Sequence, residues 1–208
     1  MTPSITQAVN LLQSGLPICF PTETVYALAA DATQDIAVQS VYQLKERTTS
    51  APLSLMLPTL ESAYEYALFT RSAKILARAF WPGPLTLILP QVITPATSSL
   101  SPLSSHINPD LKTIGIRIPK HPVALAILRA FGKPIVATST NPSGQKEATT
   151  TQQIRDYFGD DIYIVDEGIC DTGTASTIVD MTVSPPTILR QGNLTEAAIL
   201  EAIARHEL

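Results

Sequence analysis

The apolar runs of this chain are short, and proline, glycine or polar turn residues close each of them. Pro17-Ile18-Cys19-Phe20-Pro21 is followed by runs at 53–57, 85–89, 113–118 and 135–138. Runs of this length read as buried strands. Between them lie stretches with helical spacing. Ile5, Ala8, Val9 and Leu12 predict an opening helix, capped by Ser4 and stopped at Gly15. A second helix follows the first strand directly and runs toward Lys45 with Ile36, Val41 and Leu44 inward. Further helices are predicted near 60–67, 71–80, 121–131 and 151–158 and from about 195, with late strands at 162–165, 176–179 and 187–189. The Ser/Pro-rich stretch 94–109 is the loop expected to move.

Strands alternating with helices imply an α/β or α+β fold, and the late strands without helices between them imply a mixed parallel and antiparallel sheet. With 208 residues, no internal repeat and no linker, one domain spanning 1–208 is expected. Hydrophobic residues make up 45% and charged residues 15%, which excludes a disordered chain, and 17 scattered prolines exclude a collagen-like one. No apolar run approaches the ~18 residues needed to cross a bilayer, and residues 1–44 contain no Lys or Arg, so neither a membrane span nor a targeting peptide is expected. Cys19 and Cys170 have no partner at metal spacing and read as buried free thiols suited to a reducing cytoplasm.

The overall charge of −4 is unevenly distributed, with −3 over residues 1–44, +7 over 45–146 and −8 over 147–208. A basic middle in an acidic chain suggests a local anionic ligand such as a nucleotide or an RNA backbone. The alternative, equally compatible with the sequence, is that these charges interleave in space.

Several familiar signatures are absent. The chain has no G-x-x-x-x-G-K-[ST], no G-x-G-x-x-G, no H-E-x-x-H and no G-x-S-x-G. Catalysis must therefore draw on cations, hydroxyls and backbone groups, without a resident metal.

In 113–118, Ile114, Ile116 and Ile118 occupy one strand face and leave Thr113, Gly115 and Arg117 on the other. Arg117 beside glycine has room for a ligand; taken alone, it reads first as a surface arginine paired with an acid. Lys45 and Arg47 end a helical pattern, where they answer the helix dipole. If the chain has left the helix there, both cations fall on one side and can grip a polyphosphate. Ser139-Thr140-Asn141-Pro142 follows an apolar strand, at the carboxyl end where α/β sheets bind ligands, though an ordinary Asn-Pro turn has the same sequence. Pro21-Thr22-Glu23-Thr24 also follows a strand, and Ser176, Thr177 and Arg190 lie at the ends of late ones. Trp81-Pro82-Gly83-Pro84 reads as architecture.

In order, Pro21-Thr22-Glu23-Thr24-Val25-Tyr26, Lys45-x-Arg47, Trp81-Pro82-Gly83-Pro84-Leu85-Thr86, Arg117-Ile118-Pro119-x-His121-Pro122, Ser139-x-Asn141, Ser176-Thr177 and Leu189-Arg190-Gln191-Gly192 resemble the YrdC-type threonylcarbamoyl-AMP synthases. The resemblance runs from about Gly15 to Gly192. It implies a twisted mixed sheet around a concave, positively lined cavity. It implies synthesis of threonylcarbamoyl-AMP and pyrophosphate from L-threonine, bicarbonate and ATP with magnesium, for threonylcarbamoyladenosine modification of tRNA. By that resemblance Lys45 and Arg47 are the catalytic cations, and ATP binds Lys45, Arg47, Thr113, Ser139, Asn141, Ser176 and Arg190. Thr22 and Arg117 would hold threonine, Arg117 as a carboxylate clamp. Downstream tRNA-modifying transfer proteins and contact with tRNA itself are the implied partners.

The chain departs from the family pattern at Thr48, where Pro is common, at Met56, where His is common, and at Ala175, where Glu often precedes Ser-Thr. Because it stops soon after Gly192, it is similar to the short, single-domain form. The competing expectations are a YciO-like paralogue and a noncatalytic RNA-binding module.

Overall fold

Alternation along each strand assigns successive side chains to opposite faces of one sheet, and the two faces carry separate cores. In a computed structural model that describes residues 1–46, 52–93, 102–108 and 111–205, sixteen elements are seen. They are α1 (Pro3–Gln13), β1 (Ile18–Phe20), β2 (Ala27–Asp31), α2 (Asp35–Leu44), β3 (Ser54–Met56), α3 (Leu60–Tyr64), α4 (Arg71–Phe80) and β4 (Leu85–Pro90) in the first half. β5 (Thr113–Arg117), α5 (Pro122–Phe131), β6 (Ile135–Ser139), α6 (Thr151–Phe158), β7 (Tyr163–Ile164), β8 (Thr177–Asp180), β9 (Thr187–Arg190) and α7 (Glu196–Ala204) follow. The strands form one sheet in the order β7-β1-β2-β6-β3-β5-β4-β8-β9. β1/β7, β3/β5 and β4/β8 are parallel and the remaining pairs antiparallel, so the sheet is mixed as expected.

β2 is the strand that sequence reasoning missed, taking the first strand straight into a helix. Ala27-Leu28-Ala29-Ala30 has weak strand propensity and good helix propensity. Tertiary pairing decides otherwise: β2 lies between β1 and β6, and all five of its residues are buried. Ala27 and Ala29 face a core built by Ile5, Leu12, Ile127 and Phe131 of α1 and α5. Leu28 and Ala30 face the larger core with Val38, Leu55, Leu87 and Ile116. Leu12 is fully buried, and truncating such a leucine costs about 2–5 kcal/mol.

Local signals differ from expectation in two places. Thr2, rather than Ser4, caps α1, accepting from the Ile5 N–H at 3.4 Å with Pro3 in the first turn, while Ser4 donates to Glu167. Ile36 does not face inward; it is 80% exposed, and Ala37, Val38, Val41 and Tyr42 form the buried face of α2. The charges of the basic middle interleave with acids of the first segment, Arg117 with Glu23 and Lys133 with Asp31. Cys19 is buried as expected, but Cys170 is only half-buried; both thiols are free. Most of 94–109, expected to move, lies outside the described residues. No helix among the described residues is long and apolar enough to cross a membrane.

Candidate active site

The sheet face packed by α1 and α5 is not covered along its whole length. On the same face, beside Ala27, Met56 and Ala137, a cavity of about 110 Å³ opens against β3, β4, β5, β6 and β8. Register explains its lining. Met56 pairs with Arg117, and Thr86, one residue before Leu87 in the Leu87–Ile116 pairing, sits across from Arg117. Thr86 pairs in turn with Ile178, and Ile178 with Arg190. All five residues line the cavity. Arg117 and Arg190, on β5 and β9, thus start from one rung of the sheet, their backbones separated by three inter-strand spacings of about 4.8 Å, or roughly 14 Å. Among the described residues the lining contains no carboxylate.

Arg117 is 6% exposed. Its Nη2 donates to Thr24 Oγ1 at 2.8 Å and lies 2.8 Å from Glu23 Oε1. The 22–25 turn is held from within, because Thr22 Oγ1 donates to the Val25 carbonyl at 2.7 Å and accepts from the Thr24 N–H at 3.2 Å. Thr22 lines the cavity. Space beside the arginine comes from Gly115, where a Cβ would stand 2.6 Å from Ser54 Oγ.

At the other end, Arg190 donates from Nε to the Ser176 carbonyl at 3.0 Å and from Nη2 to Ser176 Oγ at 3.2 Å. Ser176 Oγ is also 2.8 Å from Thr86 Oγ1. Thr177 Oγ1 accepts from the Gly192 and Leu194 N–H groups and donates to the Leu194 carbonyl, fixing the chain after β9. A side chain at Gly192 would lie 2.2 Å from the Ala175 carbonyl oxygen. The Ser176-Thr177 and Arg190-Gln191-Gly192 segments therefore form one unit.

Lys45 and Ser139-x-Asn141 also meet. Lys45 is the C-cap of α2, and Glu46 turns the chain out of the helix with φ 51°, as a polyphosphate grip requires. Yet Lys45 is 3% exposed and does not line the cavity. Its Nζ donates to the Ser139 carbonyl at 2.6 Å, the Asn141 carbonyl at 2.7 Å and Asn141 Oδ1 at 3.2 Å. Ser139 Oγ donates to the same Oδ1 at 2.7 Å, and Asn141 Nδ2 donates to the Pro142 and Gln145 carbonyls. Ser139 lines the cavity; Asn141 and Lys45 shape and charge the turn behind it. Arg47 and Thr48 lie outside the described residues.

Thr113 is not among the lining residues. It shares the face of Arg117, but four residues along a strand carry it about 13 Å away, to the end that pairs with Pro90. Sequence reasoning overlooked Ser54, Thr86, Thr138 and Tyr26, all in the lining. The signal was available on β4, where Leu85, Leu87 and Leu89 face the core and Thr86 takes the other face, the same alternation that singled out Arg117. Burial, then the Asp166 charge, pushes the Tyr26 phenol up to about 12, so it stays a neutral hydrogen-bonding group at neutral pH.

Comparison with known proteins agrees with this geometry. The Sua5/YciO/YrdC family model, described as "Telomere recombination", matches residues 10–192. Threonylcarbamoyl-AMP synthase of Bacillus subtilis is 37% identical over 199 residues, 95% of this chain and 56% of that protein. The structure of Pyrococcus abyssi Sua5 complexed with L-threonine superposes with a TM-score of 0.88 at 34% identity, over 96% of this chain and 57% of that one. Escherichia coli YciO, at 24% identity and a TM-score of 0.79 over 94% of this chain and 92% of its own, shares the fold. The chain spans about half the length of the first two relatives. A family model covering most of the chain, relatives above 30% identity and the shared fold together place this chain in the Sua5/YciO/YrdC family.

Proposed function

We propose that the chain carries threonylcarbamoyl-AMP synthase activity, making the adenylate and pyrophosphate from L-threonine, bicarbonate and ATP for threonylcarbamoyladenosine modification of tRNA. The observation that carries this reading is the single rung with Arg117 at one end and Arg190 at the other of a carboxylate-free cavity. Two cations rooted on different strands of one rung suit a molecule with a carboxylate at one end and a phosphate further along. The relatives named as threonylcarbamoyl-AMP synthases, and the Sua5 structure complexed with L-threonine, support the same assignment.

In this reading Arg117 and Thr22 hold threonine, while Arg190, Ser176 and the Ser139–Asn141 turn hold the nucleotide, with Lys45 supplying positive charge behind it and Arg47 assigned to the polyphosphate by the family resemblance. Threonine's amine takes up carbon dioxide from bicarbonate as a carbamate. A carbamate oxygen attacks the α-phosphorus of ATP, and pyrophosphate leaves with its bonding pair. The protein aligns two anions and offsets their repulsion, both recognised sources of rate. Among the described residues the lining has no carboxylate, imidazole or thiol and no three such groups cluster, so these residues do not fit a protein-held magnesium ion. The free thiols Cys19 and Cys170 suit a reducing cytoplasm, where the labile product meets its transfer proteins.

Pyrophosphate release by the purified protein, with threonine and bicarbonate omitted in turn and the adenylate detected by mass, tests the proposal. Release that needs both substrates supports it. A folded, ATP-binding protein that releases none excludes it and leaves noncatalytic binding, including of RNA.

A further inference from the structure

We infer that Glu23 is the positioning residue for Arg117, and that this pair rather than the arginine alone sets how the cavity holds a carboxylate. The inference rests on the threonine-binding role proposed above. Glu23 does not line the cavity; it stands behind Arg117, and the two side chains are each 7% exposed. A guanidinium so buried needs a counter-charge, and Glu23 is the acid that provides it, 2.8 Å away.

The hold is one-sided. Nη2 takes both the Glu23 contact and the hydrogen bond to Thr24, whereas Arg117 Nε and Glu23 Oε2 have no hydrogen-bond partner among the described residues. Neither Glu23 oxygen completes a well-aligned hydrogen bond, so the contact is ionic rather than a bidentate fork. Glu23 thereby fixes one corner of the guanidinium; Nε is buried, and Nη1, which makes no hydrogen bond among the described residues, is the donor left for a second carboxylate. The carboxylate itself is held in place through its backbone, because the Glu23 carbonyl accepts from both the N–H and the hydroxyl of Thr172 at 3.2 Å. A segment 149 residues away thus anchors the turn that aims the arginine.

The experiment compares wild type, Glu23→Ala and Glu23→Gln in steady-state kinetics and in calorimetric binding of L-threonine and L-threoninamide, which lacks the carboxylate. Glu23→Ala is expected to raise the threonine KM about tenfold with kcat changed less than about threefold, and Glu23→Gln, which keeps the shape but not the charge, to show a similar rise. Threoninamide affinity stays unchanged in both. A folded Glu23→Ala with an unmoved threonine KM overturns the inference, as does a Glu23→Gln equal to wild type. Equal weakening of threoninamide also overturns it, since that is collapse of the cavity. Should Glu23→Ala not fold, Glu23→Asp withdraws the carboxylate by one methylene and carries the same readouts. A wild-type protein that neither binds threonine nor makes the adenylate defeats the proposed function instead, a result distinct from active wild type with insensitive Glu23 variants.

Discussion

The Lys45 ammonium lies 2.6 Å from the Ser139 carbonyl oxygen, which joins the end of α2 to the turn after β6 across 94 residues of chain. The same ammonium bonds the carbonyl and side chain of Asn141. A cation that satisfies three oxygens of one turn is part of that turn's structure as well as a source of charge for whatever binds there.

Lys45→Ala is therefore expected to lower stability together with activity. Unsatisfied buried carbonyls and lost charged hydrogen bonds cost about 2 kcal/mol or more. Urea unfolding of wild type and variant, beside pyrophosphate release, checks this; a variant that loses activity at unchanged stability would leave Lys45 as a ligand contact only.

Gly192→Ala is expected to be among the most damaging small substitutions. The new Cβ would sit 2.2 Å from the Ala175 carbonyl oxygen and 2.5 Å from the Thr177 nitrogen, both backbone atoms that cannot move aside cheaply. A loss of about 2–4 kcal/mol is expected in denaturant melts. Stability equal to wild type would mean that the β8–β9 junction is not as tight as described.

Arg190→Gln removes one cationic end of the cavity rung while leaving Arg117 in place. The KM for ATP should rise about tenfold or more and that for threonine less than about threefold. Equal increases in both would argue against a division of the cavity into nucleotide and amino-acid ends.

His121 gives a pH prediction. Burial lowers its pKa below the ordinary histidine value, an effect the Glu23 and Asp171 charges oppose only in part. The folded state thus prefers the neutral ring, and the unfolded chain takes up the proton first as pH falls. This contribution to stability is whole above about pH 6.5 and is lost as pH drops through that value toward the folded pKa. His121→Gln should lose less stability than wild type between pH 7.5 and pH 5.5 in urea titrations; parallel losses would show that the ring is not buried in its neutral form.

Ile36→Ser separates helical spacing from actual burial. The side chain is 80% exposed, so a change within about 0.5 kcal/mol is expected, against about 1–3 kcal/mol for Val38→Ala on the buried face. Thermal melts of the two variants decide it.

What the sequence determined by itself was most of what rests on local period and turn chemistry, the cap of α1 and the inward face of α2 excepted. Alternation over Thr113–Arg117 placed the arginine opposite the isoleucines, and the same period was there to be read at Thr86. Helical spacing located α4, α5 and α6 to within a residue or two. The ordered motifs carried the family. Tertiary structure alone decided β2, because alanines become a strand only when β1 and β6 flank them. It also decided which polar residues share a site. Thr113 and Arg117 lie on one face of one strand yet stand about 13 Å apart, whereas Arg117 and Arg190, distant in sequence, share a rung through the register of β5, β4, β8 and β9. Face is a property of neighbouring residues, but register and strand order come from pairings made across the whole chain.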